Sequence, residues 1–254
     1  MKTLFLITAR GGSKSIPDKN LKEFGGLSLI GFKAISAQRS KYCTRLMIST
    51  DSPEIQTVAR EFGVEVPFTR PAELATDTAS SVDVVAHAME WVESETDEKY
   101  DAVMLLEPSS PFTRTIDYDN AVELMLERDA NLVVGMREVP INSVYVGAFE
   151  GQGRITEIID KLREKPSYQR QDSEQEYTMN GGFYLFKWDF FKKHRLIYKD
   201  RDNSFGYVMD RHYSVEIDEP VDLHWCEFLV SNGYVDMQDW QSGETRWERV
   251  RTST

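Results

Sequence analysis

The run Leu4-Phe5-Leu6-Ile7 passes at once into Thr8-Ala9-Arg10-Gly11-Gly12-Ser13-Lys14-Ser15-Ile16-Pro17-Asp18-Lys19-Asn20. The short apolar stretch reads as a buried strand, and the glycines beside it allow a tight turn whose backbone N–H groups can approach a ligand closely. Arg10, Lys14 and Lys19 follow close together in that turn. A polyphosphate is the ligand that calls for so many donors and so much positive charge in one loop. Neither G-x-x-x-x-G-K-[ST] nor G-x-G-x-x-G occurs, so this is neither a Walker A loop nor a dinucleotide fingerprint. A plain polar strand-to-helix connection with incidental lysines is the competing reading.

Outward from that loop, strands and helices alternate. Ser28 to Ser40 reads as a helix, Leu46 to Asp51 as a second buried strand ending in polar residues, and Val64 to Phe68 as a short strand. Ile55, Val58, Ala59 and Phe62 recur at helical spacing, as do Tyr118, Ala121, Val122 and Met125. Ser80 to Glu95 forms a further helix, and Ala102 to Leu106 and Leu132 to Val139 are strands. The alternation implies parallel βαβ units and an α/β three-layer sandwich. From Pro140 to Met179 the chain turns polar, with Gly147, Gly151, Gly153 and Pro166, which reads as an inserted subdomain. Strand character resumes at Phe183 to Phe186, and Val221, Trp225, Phe228 and Leu229 mark a last helix. The expected organisation is a catalytic domain of residues 1–139 and 180–235, an insertion at 140–179, and a polar C-terminal tail at 236–254.

The 254 residues carry a net charge of −12 with 41% apolar residues. That supports an ordinary core and argues against a general nucleic-acid binder, which would present a basic surface. The apolar runs are strand-sized, and Met1-Lys2-Thr3 leads straight into the first strand, so neither a membrane span nor a signal peptide is expected and the cytoplasm is the expected location. Cys43 and Cys226 form no C-x-x-C and read as buried thiols. His87, His194, His212 and His224 lack metal-ligand spacing and read as surface or helix residues.

In an open α/β sheet, ligands bind outside the carboxyl ends of the strands, and the chemically loaded residues fall there. Strand ends carry Ala9-Arg10, Ser49-Thr50-Asp51, Glu107-Pro108-Ser109-Ser110 and Glu216-Ile217-Asp218. On a strand, Glu216 and Asp218 would point to one face and could share a divalent cation, magnesium being the natural one beside a polyphosphate. The competing reading makes Asp218 the N-cap of the next helix, ahead of Glu219-Pro220.

The opening Ile7 to Asn20 segment closely resembles the first motif of the acylneuraminate cytidylyltransferases, the CMP-sialic acid synthetases. Further matches are Ile48-Ser49-Thr50-Asp51, Arg70-Pro71-Ala72-Glu73-Leu74-Ala75, Leu106-Glu107-Pro108-Ser109-Ser110-Pro111-Phe112, Arg170-Gln171, Asn180-Gly181-Gly182-Phe183-Tyr184 and Glu216-Ile217-Asp218, so the resemblance covers residues 4 to about 230. It implies a Rossmann-like nucleotidyltransferase sandwich with an inserted dimerisation subdomain, hence a homodimer. It also implies transfer of CMP from CTP to the anomeric hydroxyl of a nonulosonic acid, sialic acid or a relative, with release of pyrophosphate. By that resemblance Arg10, Gly12, Ser13, Lys14, Lys19 and Asn20 would hold the triphosphate, and Arg70 and Ser81 would lie at the base. Glu107, Arg170, Gln171, Asn180 and Tyr184 would face the sugar, Arg170 from the arm in its own or a partner's site. Glu216 and Asp218 would bind magnesium, and Arg10, Lys19 and Asp218 would carry catalysis.

This chain departs from the family pattern twice, with Glu107 where Gln is frequent and Glu216 where Asp is frequent. The first bears on the choice of sugar, because the acceptor is itself a carboxylate. A relative using GTP or another 2-keto-3-deoxy sugar acid, a non-catalytic nucleotide-sugar binder, and a nucleotide-sugar hydrolase are the alternative functions.

Overall fold

The structure is a computed structural model, and it describes residues 1–164 and 174–241. Its centre is β1 (Thr3–Thr8), where Leu4, Phe5, Leu6 and Ile7 are all fully buried. The period of two splits them: Phe5 and Ile7 enter the core on one face of the sheet, Leu4 and Leu6 the core on the other. A strand covered on both faces needs a continuous apolar run, which is what the sequence has here. Parallel partners flank it, β4 (Cys43–Ser49) on one side and β5 (Ala102–Leu106) on the other.

Between β1 and β4 the chain forms a small hairpin, β2 (Glu23–Phe24) and β3 (Leu27–Ser28), and then α1 (Leu29–Arg39). The Ser28 hydroxyl caps α1 by accepting from the Gly31 N–H at 3.1 Å. Ser52 caps α2 (Pro53–Glu61) in the same way, at 3.2 Å from the Ile55 N–H. α1, α2 and α4 (Thr115–Arg128) supply one core through Ile30, Ala34, Ile55, Ala59, Tyr118 and Val122. α3 (Ser81–Glu95) supplies the opposite core through Val85, Ala88, Met89 and Val92, so the three-layer sandwich is present.

The six-stranded sheet runs β4-β1-β5-β7-β6-β8. β6 (Leu132–Glu138) and β8 (Ser204–Val208) are parallel to each other, but β7 (Tyr177–Lys187) lies antiparallel between β5 and β6. The parallel βαβ pairing expected from the alternation is present in β4, β1 and β5, and β7 adds an antiparallel strand to it. The 140–179 excursion leaves and re-enters the sheet at the same end, with Glu138 opposite Tyr177, and a return of that kind requires antiparallel pairing.

The described part of the excursion is structured, with short 3-10 turns at Ser143–Tyr145 and Gly151–Gly153 and α5 (Thr156–Arg163). It exposes Ile141, Val146, Phe149, Ile155 and Ile159.

Other expectations also shift. Val64 to Phe68 makes only a single bridge, Glu65 to Met47, and Glu216 to Asp218 is not a strand. The latter segment is placed instead by the Ile217 N–H donating to the Ser109 carbonyl at 2.8 Å. After β7 come α6 (Trp188–His194) and the edge strand β8, and later α7 (Pro220–Ser231). Glu219, not Asp218, is the N-cap of α7.

The predicted C-terminal tail is anchored as far as it is described. α8 (Gln238–Gln241) buries Trp240 against Phe32 and Phe112, and the indole N–H donates to the Phe32 carbonyl at 3.0 Å. Both cysteines are buried, as expected. No helix among the described residues is long and apolar enough to cross a membrane.

Candidate active site

The connection after β1 runs through α1 to β4 on one side, whereas β5 lies on β1's other side. Strand order therefore reverses between β1 and β5, and a crevice opens beyond their carboxyl ends. A cleft of about 510 Å³ fills it. Arg10, Ser13, Lys14, Lys19, Asn20, Arg70, Ser81, Glu107, Glu216 and Asp218 all line this cleft, so one site gathers residues from five separate stretches of chain.

The glycine loop is shaped by side chains around it. The Gly11 N–H donates to Asp51 Oδ1 at 2.9 Å, and a Cβ at Gly11 would lie 3.3 Å from the Ser52 Cβ, tighter than ordinary contact. The buried Asn20 amide donates to the Arg10 carbonyl at 3.1 Å and closes the loop on itself. Lys19 reaches across to the acidic segment, donating to the Ile217 carbonyl at 2.8 Å with its ammonium 3.7 Å from Asp218 Oδ1. Gly12 lies in the loop but not on the cleft wall.

Arg10 and Lys14 both pair with Asp77, a residue that the sequence reading missed because it lies in an irregular Thr/Ser/Ala stretch. Hydrogen bonds from Lys14 and Arg10 hold the Asp77 carboxyl below the usual carboxylate range. The contact is solvent-exposed and correspondingly weak, so a polyanion can take both cations over. Arg70 differs: it is 6% exposed, its Nε donates to Ser49 Oγ at 3.0 Å, and it also bonds the Ser49 carbonyl. Burial, with Arg10 close by, lowers its pKa to about 10, against the pull of Asp51, and leaves the guanidinium charged at neutral pH.

The far wall is acidic. Burial raises the Glu107 pKa, and Glu216 raises it further, while Lys33 and Lys19 oppose the shift. Burial raises Glu216 too, with Asp218 adding to it and Arg137 and Lys19 opposing. Carboxylates that raise one another in this way favour a cation between them. Gly181 makes room: its φ is +64°, and a Cβ there would lie 2.8 Å from Glu216 Oε1.

Two predicted sugar-facing residues are not among those lining the cleft. Asn180 is fully buried; its amide accepts from the Gly182 N–H at 3.0 Å and donates to the Met136 carbonyl at 3.4 Å, which fixes the register shift between β6 and β7. Tyr184, on β7, is partly buried against the Leu4 and Leu6 side of the sheet, and burial with Glu107 nearby raises its pKa. Arg170 and Gln171 lie outside the described residues.

No group of three or more His, Cys, Asp and Glu side chains that could hold a metal occurs among the described residues. Magnesium bound chiefly by phosphate oxygens and water needs only one or two carboxylates, so Glu216 and Asp218 fit that ion and would not suit a metal that demands a full protein cage.

Residues 4–224 match the family model described as Cytidylyltransferase. The chain is 33% identical over 229 residues to a CMP-N,N'-diacetyllegionaminic acid synthase of Campylobacter jejuni, covering 90% of this chain and 94% of that one. It is 30% identical over 239 residues to post-translational flagellin modification protein B of Campylobacter coli, covering 93% and 98%. A CMP:2-keto-3-deoxy-manno-octonic acid synthetase solved with CTP superposes with a TM-score of 0.66 at 15% identity, over 92% of this chain and 100% of that one, which is a likeness of fold.

Proposed function

Because the chain belongs to the cytidylyltransferase family, we propose that it transfers CMP from CTP to the anomeric hydroxyl of a nonulosonic acid and releases pyrophosphate. The observation that carries this reading is one cleft with cations on the β1 loop and carboxylates on the facing wall. In the reaction the anomeric oxygen bonds to the α-phosphorus, the bond from that phosphorus to the β-bridging oxygen breaks, and the hydroxyl proton leaves to solvent. Arg10, Lys14 and Lys19, with the Gly12–Ser13 backbone and Asn20, meet the triphosphate and stabilise charge on the departing pyrophosphate. Arg70 and Ser81 lie toward the base. In-line placement of the acceptor supplies much of the rate, so no strong base is required.

Glu107, Gln171 and Tyr184 are assigned to the acceptor, with Arg170 reaching in from the insertion. Asn180 supports that end from beneath, since its amide is committed to the backbone. Glu216 and Asp218 would hold magnesium, which supplies charge neutralisation and orientation at the phosphates. The exposed apolar side chains of the insertion support a homodimer formed through it. The cytoplasm, where CTP is made, is the assigned location.

The relatives named for CMP products favour cytidine over guanosine and a diacetylated nonulosonic acid as the first acceptor to try. CTP, GTP and UTP, each offered with N,N'-diacetyllegionaminic, pseudaminic and N-acetylneuraminic acids, test the reading by pyrophosphate release. Turnover confined to CTP with one or more of these acids is the expected result; turnover with GTP and not CTP overturns it.

A further inference from the structure

Lys33 takes no part in the chemistry above, yet it is fully buried on α1, where an ammonium is costly unless its charge is answered. Its Nζ donates to Thr113 Oγ1 at 2.7 Å, to the Gly182 carbonyl at 2.9 Å and to the Tyr118 hydroxyl at 3.4 Å. Each hydrogen of the ammonium thus has an oxygen acceptor, and none of the three is a carboxylate.

The first two acceptors belong to the two strips of backbone that flank the acidic wall. Thr113 Oγ1 passes a hydrogen bond to the Ser110 carbonyl at 3.3 Å, and the Ser110 N–H returns to the Glu107 carbonyl at 3.1 Å, so the turn leaving β5 is tied to Lys33. On the other side Ser110 Oγ donates to the Asn180 carbonyl at 3.0 Å, beside the Gly181 site that Glu216 presses on. Burial pulls the Lys33 pKa down to about 7, and the opposing pull comes from Glu107 first and Asp117 second. Asp117 is already bonded by the Arg114 guanidinium at 3.0 and 3.1 Å and by the Tyr207 hydroxyl at 3.2 Å. The hydrogen-bond chain from Lys33 through Thr113 and Ser110 ends on the backbone of Glu107, which ties the ammonium to the strip that carries this carboxylate.

We propose that Lys33 is a positioning residue for the acceptor end of the cleft: its ammonium locks the Glu107–Thr113 turn against the Gly181–Gly182 bend and is the buried positive charge answering Glu107. This rests on the assignment of Glu107 to the acceptor. A glutamate at this position needs a buried cation beneath it, whereas a glutamine would not.

A double-mutant square of wild type, Lys33→Met, Glu107→Gln and the double variant tests it, read by urea unfolding and by the two Michaelis constants. The unfolding readout needs no turnover, so it judges the Lys33–Glu107 coupling even where the assignment of the acceptor fails; an acceptor KM unmoved by Glu107→Gln alone is the sign of that second failure. The expected result is non-additivity: Glu107→Gln raises the folding constant about 10-fold more in the Lys33→Met background than in the wild type. Lys33→Met also raises the acceptor KM about 10-fold and leaves the CTP KM in place. A double variant that folds where Lys33→Met alone does not supports the proposal equally. Additive effects, equal movement of both Michaelis constants, or failure of the single and the double variant alike to fold would overturn it and leave Lys33 a packing element.

Discussion

Lys19 and Asp218 face each other at 3.7 Å across the cleft, and the Lys19 ammonium also bonds the backbone of the residue before Asp218, the Ile217 carbonyl, at 2.8 Å. One cation thus joins the loop after β1 to the acidic segment ahead of α7. On the proposed reading, this bridge would hold the triphosphate loop in register with the segment that would bind the metal.

Replacing Lys19 with Ala removes the bridge and, on the proposed reading, a cation beside the departing pyrophosphate. The expected loss in kcat is about 100-fold or more, with a smaller change in CTP KM, because the charge it stabilises grows in the transition state. Steady-state kinetics on pyrophosphate release check it, and an unchanged kcat would remove Lys19 from the reaction.

Chelation with EDTA should abolish turnover, and added magnesium should restore it. Asp218→Asn is expected to raise the magnesium concentration for half-maximal rate about 10- to 100-fold, with Glu216→Gln also raising it. A magnesium titration that superposes on the wild type would assign the metal elsewhere.

Glu107 titrates above its ordinary value of 4.5 because burial and Glu216 oppose its ionisation. The folded protein then binds that proton more tightly than the unfolded chain does. Its contribution to stability is present below the unfolded pKa and is lost as pH rises through the higher folded one. Glu107→Gln should therefore leave a flatter stability profile above pH 4.5 and a more stable protein at neutral pH, measured by urea unfolding at a series of pH values. A variant whose profile parallels the wild type would contradict the shift.

Phe149 is 82% exposed in the excursion, where Val146, Ile155 and Ile159 are exposed as well. Exposed apolar side chains of this kind are expected to be covered by a second copy of the chain. Sedimentation should give the mass of two chains for the wild type and of one for Phe149→Asp; a monomeric wild type would rule out the dimer.

Periodicity and turn chemistry made β1, the α1–α4 helices and the cationic loop legible, because burial on one or both faces leaves a pattern in the order of residues. They could not show that β7 runs backwards, since direction is set by where the excursion re-enters the sheet and not by the apolar run Phe183–Phe186 itself. β8, with Gly206 and half-exposed side chains at an edge, has little pattern to read. Among the residues lining the cleft, Arg70 and Ser81 were reached only through motif likeness, whereas Asp77 and Lys33 required coordinates. Lys33 did leave a trace: it stands among Leu29, Phe32 and Ala37 on a helix whose faces are nearly all buried, a place where a lysine is out of character. Trp240 was hidden by the charge of its neighbours, although an aromatic ring in a polar tail is itself a sign of anchoring.

The central claim is that the acceptor's own anomeric oxygen attacks the α-phosphorus of CTP. Mass spectrometry of the product formed from CTP and N,N'-diacetyllegionaminic acid carrying 18O at the anomeric hydroxyl tests it directly. The account predicts a CMP-sugar that keeps the label in its phosphorus–oxygen–carbon bridge, with unlabelled pyrophosphate. A CMP-sugar whose bridge lacks the label, or no CMP-sugar at all from CTP with any nonulosonic acid, would contradict it.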